Sequence, residues 1–85
     1  MRPQMRWHSS IDLGYVFHDN DLSFTERRDT IVQRISTASF YDADDLQLAD
    51  IVHELSEAED AEEFDFLWNE FYDWADVNGV WVTTF

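Results

Sequence analysis

The residues of this sequence that could act on another molecule are carboxylates on its longest amphipathic segment. Projected at about 100° per residue, Glu62, Asp65, Asn69, Asp73 and Asp76 form one stripe along a predicted helix, and Phe66 falls within that stripe. Carboxylates three or four residues apart on a helix lie about 5–6 Å from one another. A row of negative groups on a rigid helix can imitate a run of nucleic-acid phosphates. We therefore predict that these six residues bind a protein with a basic surface, such as one that itself binds nucleic acid.

Two alternatives stay open at this stripe. The carboxylates could form only a solvated face that keeps the protein soluble. Phe66 could be covered by one of the chain's terminal strands, or it could be exposed and anchor an interface.

Net charge is unevenly distributed along the chain. Residues 1–41 contain five arginines and five acidic residues, whereas residues 42–85 contain fourteen acidic residues and no lysine or arginine, which gives a net charge of −14. Affinity for nucleic acid comes from cationic side chains that displace counterions, so direct nucleic-acid binding is not expected. Arg27, Arg28 and Arg34 cluster on one predicted helix, where we expect structural salt bridges to the acidic half. The stem of Arg28 should lie over the core and its guanidinium should pair with a carboxylate at the edge.

The sequence offers little for catalysis or for a cofactor. It has two glycines, no lysine and no cysteine, so a phosphate-binding glycine loop and a Cys-based zinc site are not expected. Asp42, Asp44 and Asp45 begin like a calcium loop, but Leu46 and Gln47 break that pattern. The histidines, at positions 8, 18 and 53, are scattered over three elements. We predict no enzymatic activity, no metal site and no cofactor.

Helices and strands must position the stripe. Between residues 7 and 17, apolar side chains alternate with others at period two, at Ile11, Leu13, Tyr15 and Phe17, which predicts a strand or a short hairpin. Ser23 and Glu26 have the spacing of a capping box before a helix that extends to about Thr37. Asp42 is the predicted cap of a second helix, which ends near Ala58, and residues 60–79 contain the start and stop signals of a third. Residues 80–85 predict a final strand.

These elements predict one acidic domain that spans residues 1–85. Because each terminal strand lacks a partner nearby in sequence, we expect the two to pair with each other. The predicted fold class is α+β, with three helices packed on a small antiparallel sheet formed by the N- and C-terminal strands. The aromatic stripe that includes Trp68 and Trp74 is assigned to the core.

The C-terminal stretch FDFLWNEFYDWAD (residues 64–76), followed by VWVTTF (residues 80–85), resembles small acidic accessory proteins of bacteriophages that infect actinobacteria. The segment TERRDTIV (residues 25–32) adds to that resemblance. The resemblance carries no catalytic motif, so it transfers no site residues. It implies an accessory phage protein that acts in the host cytoplasm.

The functional expectation is a small protein that binds and modulates a host or phage protein. The alternative is a structural or assembly module, or a homodimer, whose acidity serves only solubility. The sequence has no apolar run long enough for a membrane span, so a cytoplasmic location is expected.

Overall fold

The computed structural model describes residues 10–84 and is mostly helical. The elements follow in the order β1 (Ser10–Asp12), α1 (Gly14–Phe17), α2 (Phe24–Ser36), α3 (Leu46–Glu57), α4 (Ala61–Asn78) and β2 (Trp81–Thr83). Two parts of the predicted strands lie outside the described residues. They are residues 7–9, which include His8, and Phe85. Of the described helices, none is both long and apolar enough to cross a membrane.

The three long helices have the predicted boundaries, apart from the start of α3. Ser23 Oγ accepts from the Glu26 N–H at 3.1 Å and Glu26 Oε1 accepts from the Ser23 N–H at 3.0 Å, so the capping box of α2 is confirmed. At the other end of the chain, α4 stops at Gly79, whose φ of 72° lies in the left-handed region that suits glycine. The Val80 N–H then donates to Ala75 O at 2.9 Å, which closes the helix end.

The predicted cap of α3 at Asp42 is wrong by three residues. Asp42 Oδ1 accepts from the Asp44 N–H at 2.9 Å and closes a local turn instead. Asp45 is the N-cap, and its Oδ1 accepts from the Leu48 N–H at 3.1 Å. Asp60 is the N-cap of α4, as predicted, and its Oδ1 accepts from the Glu63 N–H. Glu63 Oε1, however, accepts from the Glu59 N–H instead of from the Asp60 N–H that a capping box requires.

The predicted antiparallel sheet on three helices is wrong. β1 and β2 pair in parallel, with Ser10 opposite Trp81, Ile11 opposite Val82 and Asp12 opposite Thr83. Four helices lie between them. Strands joined by a tight turn must run antiparallel, but strands joined through helices can run either way, so nothing local in the sequence determined their direction. The result is a helical domain with a small parallel sheet at the chain ends, in place of the α+β fold.

The predicted N-terminal strand is also too long, because the chain turns after Asp12. Asp12 Oδ1 accepts from the Gly14 N–H at 3.1 Å, and this local hydrogen bond ends the strand. Leu13 O then accepts from the Val16 and Phe17 N–H groups, which starts the four-residue helix α1. Tyr15, which the period-two pattern placed with the apolar side chains, is exposed.

The core lies between α2, α3 and α4, with α3 packed against both of the others. An unbroken series of ring contacts crosses it, with centroid distances of 5.0–6.4 Å, through Phe24, Phe64, Trp68, Phe71, Trp74 and Phe40. Trp68 and Trp74 are buried, which confirms their assignment to the core, whereas Tyr72, which the same helical pattern placed in the aromatic stripe, is 38% exposed.

Candidate protein-binding surface

All six residues predicted to bind a partner are exposed on the outer side of α4. We call them the α4 face: Glu62, Asp65, Phe66, Asn69, Asp73 and Asp76. The opposite side of the helix is buried, at Phe64, Leu67, Trp68, Phe71, Trp74 and Ala75. The 18-residue helix is about 27 Å long, so the structure presents the α4 face along most of one rigid rod.

Phe66 is 69% exposed, so the alternative in which a terminal strand covers it is wrong. Sequence reasoning did not single out a second apolar side chain, Val77, which is 81% exposed. At about 100° per residue Val77 lies about 20° around the helix from Phe66, so the same projection could have found it. The outer side of α4 therefore carries exposed apolar side chains, Phe66 within the α4 face and Val77 beside it.

A groove beside the α4 face adds acidic side chains from α3. The two helices form an antiparallel hairpin through the short connection at residues 58–60. The α3–α4 groove is lined by Gln47, Asp50, Ile51, Glu54, Glu70 and Asp73. Sequence reasoning missed the α3 carboxylates because their place beside α4 depends on how the helices pack.

Repulsion among these carboxylates is visible at Glu54. Asp50, one turn earlier on α3, is the main cause that raises the pKa of Glu54 above its ordinary value of 4.5. Desolvation and Glu70 on α4 raise it further, and His53 acts in the opposite direction. His53 Nε2 lies 3.4 Å from Glu57 Oε1 on the outer side of α3. Neither α3 nor α4 contains a lysine or an arginine, so the groove is a concentrated region of negative potential.

The arginines of α2 serve the fold instead of neutralising this surface. Arg27 donates from Nε to Val16 O at 3.2 Å and from Nη2 to Asp19 O at 2.7 Å, which holds α1 and the following turn against α2. Arg28 pairs with Asp29 at 2.9 Å and donates to Ala58 O at 2.8 Å.

The expected placement of Arg28 over the core edge is confirmed, since its side chain is 19% exposed. Its carboxylate partner, however, belongs to the first half of the chain. The expected salt bridge from Arg28 to the acidic half is therefore wrong. Arg34 lies over the ring of Tyr15, 5.3 Å from its centroid.

The described residues contain no group of three or more His, Cys, Asp or Glu side chains arranged to hold a metal ion. What the surface offers chemically is electrostatic attraction for cations together with apolar contacts at Phe66 and Val77. Comparison with protein-family models, with curated proteins and with solved structures finds no match for this chain.

Proposed function

We propose that the protein binds and modulates a partner protein by covering its basic surface with the α4 face and the α3–α4 groove. The observation that carries this proposal is the solvent exposure of all six residues of the α4 face beside a second set of carboxylates from α3. A partner's cations would relieve the repulsion within this surface on binding, and long-range attraction would speed the encounter.

The charge density of α4 supports imitation of nucleic-acid phosphates. Besides Glu63, whose carboxylate accepts from the Glu59 N–H, its outer side carries five carboxylates between positions 62 and 76, at Glu62, Asp65, Glu70, Asp73 and Asp76. At a rise of about 1.5 Å per residue they average one charge per about 5 Å of helix. One strand of DNA carries a phosphate about every 3.4 Å along its axis. A basic cleft shaped for a phosphate backbone would thus meet a comparable row of negative groups.

We place this activity in the cytoplasm, and in that of a bacterial host if the chain is encoded by a phage. The complete lack of cysteine suits a reducing compartment. The resemblance of residues 64–76 to small acidic phage proteins supports the same setting.

Charge reversal tests the proposal. The variant Asp65→Lys/Asp73→Lys/Asp76→Lys should lose basic proteins that the unmodified chain captures from host lysate at low salt and releases at high salt. A matched control, Asp21→Lys/Asp44→Lys/Glu59→Lys, changes net charge equally at exposed positions outside the α4 face and should keep them. Retention of the same partners by the α4-face variant would contradict the proposal.

A second candidate is an assembly module or a homodimer whose carboxylates serve only solubility. Exposed apolar side chains favour it, since Leu46 is 80% exposed and Trp81 is 75% exposed. In that case, sedimentation velocity should show self-association that persists in the α4-face variant, with no salt-sensitive partner.

A further inference from the structure

A small pocket opens between α1, α2 and the start of α4. Its volume is about 130 Å³, and it is lined by Phe17, Phe24, Arg27, Arg28, Ala61, Phe64 and Asp65. An engineered cavity of about 150 Å³ holds one benzene molecule, whereas pockets for drug-sized ligands measure about 300–1,000 Å³. This aromatic pocket therefore has room for one ring, and not for a nucleotide or a larger cofactor.

The apolar walls of the aromatic pocket are held by their neighbours. Phe24 and Phe64 meet edge to face with centroids 6.1 Å apart, and Phe17 lies 5.1 Å from the ring of Trp68. Rings fixed in this way leave the pocket formed before anything enters it, which lowers the entropic cost of binding.

The polar rim of the pocket is equally constrained. The charge of Arg28 is balanced by Asp29, and its Nη1 donates to Ala58 O at 2.8 Å. Arg27 is held by Val16 O and Asp19 O, but its Nη1 makes no hydrogen bond to any described residue. Arg27 also lines the pocket, where its guanidinium can donate to a carbonyl oxygen.

Asp65 is shared by the aromatic pocket and the α4 face. It lines the aromatic pocket and also belongs to the α4 face, where it is exposed. Its exposed carboxylate forms no side-chain hydrogen bond or ion pair with another described residue, so it can accept from a cation. Anchor side chains that fill a preformed pocket beside a charged surface supply much of the affinity of many protein interfaces.

On the basis of the proposed function, we propose that this pocket receives one aromatic side chain of the partner, flanked in the partner's sequence by a basic residue. The aromatic ring packs between Phe17, Phe24 and Phe64. The anchor residue's backbone carbonyl accepts from the Arg27 guanidinium, and the flanking lysine or arginine pairs with Asp65. The rest of the basic segment extends along the α4 face.

Three synthetic peptides test this proposal by NMR titration of the full chain. They are acetyl-Gly-Arg-Phe-Arg-Gly-amide, its counterpart with Ala in place of Phe, and its counterpart with Glu in place of both Arg residues. We expect the Arg-Phe-Arg peptide to shift the ring signals of Phe17, Phe24 and Phe64 and to bind about tenfold more tightly than the Ala peptide, as burial of one ring implies. The Glu peptide should bind more weakly than either.

Two alanine-to-leucine variants, one inside the pocket and one outside it, test whether the pocket holds the aromatic ring. Ala61 is exposed at the first position of α4, so Ala61→Leu should fill the pocket without unfolding the chain and reduce the affinity for the Phe peptide to that of the Ala peptide. Ala43→Leu, an exposed alanine outside the pocket, should leave it unchanged. The control measurement is circular dichroism, which should show the same helical content in both variants as in the unmodified chain.

The outcomes separate this inference from the proposed function. Equal affinity for the Phe and Ala peptides, with shifts confined to the α4 face, would overturn the anchor pocket and leave the proposed function standing. Binding of the Glu peptide as tight as that of the Arg-Phe-Arg peptide would overturn the basic flank. The variant Glu62→Lys/Asp73→Lys/Asp76→Lys keeps Asp65. If that variant bound the Ala peptide undiminished and still preferred the Phe peptide, the pocket would be supported and the α4 face contradicted.

Discussion

At the scale of one residue, Glu54 shows that repulsion among the carboxylates of the second half of the chain opposes folding. Its carboxylate meets Asp50 on its own helix and Glu70 on the facing helix, and both raise its pKa. Because the folded protein holds this proton more tightly than the unfolded chain, stability falls as pH rises through the folded-state pKa of Glu54. A side chain that is unfavourable for folding at neutral pH is consistent with a surface suited to a cationic partner.

Replacement of Glu54 by the neutral Gln should therefore raise the melting temperature at pH 7. The gain should shrink as pH falls and vanish below about pH 4, where the carboxyl is protonated in both states. Thermal unfolding followed by circular dichroism between these pH values measures the difference. Glu59→Gln, at an exposed carboxylate outside the α3–α4 groove, is the control and should change the melting temperature less. An equal effect of the two substitutions would contradict the repulsion at Glu54.

At the scale of elements, Asp45 joins α3 to α4. Its Oδ1 accepts from the Leu48 N–H at 3.1 Å and caps α3, while its Oδ2 accepts from the Trp74 indole N–H at 3.2 Å. Trp74 is buried in the aromatic core, so its indole donor requires an acceptor. One carboxylate thus sets both the start of α3 and its position beside the end of α4, which in turn forms the groove.

Asp45→Ala should lower the free energy of unfolding by about 2 kcal/mol, since it removes a helix cap and leaves a buried indole donor without this acceptor. The midpoint of urea denaturation, monitored by tryptophan fluorescence, measures the loss. Asp44→Ala removes a neighbouring exposed carboxylate and should cost less than about 0.5 kcal/mol. Similar losses in the two variants would show that the Asp45 contacts do not hold the hairpin.

At the scale of the whole molecule, positive and negative charges are unevenly divided between the two halves of the chain. The first half of the chain contains all five arginines, and the described hydrogen bonds and ion pairs of Arg27 and Arg28 are to backbone carbonyls and Asp29. The second half contains fourteen acidic residues without a lysine or arginine of its own. Self-repulsion at a net charge of −14 opposes the compact state, which the buried aromatic series must offset.

Added salt should therefore stabilise this protein. Between about 0.01 and 0.5 M NaCl, where the Debye length shrinks from about 30 Å to a few Å, the melting temperature should rise. The Asp65→Lys/Asp73→Lys/Asp76→Lys variant has less repulsion to screen and should show a smaller rise. A melting temperature that stays constant or falls with salt would mean that attractive ion pairs outweigh the repulsion.

The sequence by itself determined the three long helices and the exposure of the polar residues of the α4 face. Capping bonds at Ser23 and Asp60, the glycine stop at Gly79 and the apolar period of α4 all act within a few residues, so they can be recognised without the fold. The sign of the net charge and its concentration in the second half of the chain were equally evident, since they depend only on the identity and order of the residues.

Only the tertiary structure decided how distant segments meet. The parallel direction of β1 and β2 depends on the path of the chain through four helices, which no local pattern encodes. The exposure of Phe66, the acidic residues that α3 adds to the groove and the aromatic pocket between α1, α2 and α4 depend on packing in the same way. Local hydrogen bonding and periodicity select helices, whereas the burial of their apolar faces against one another selects the surface that remains exposed.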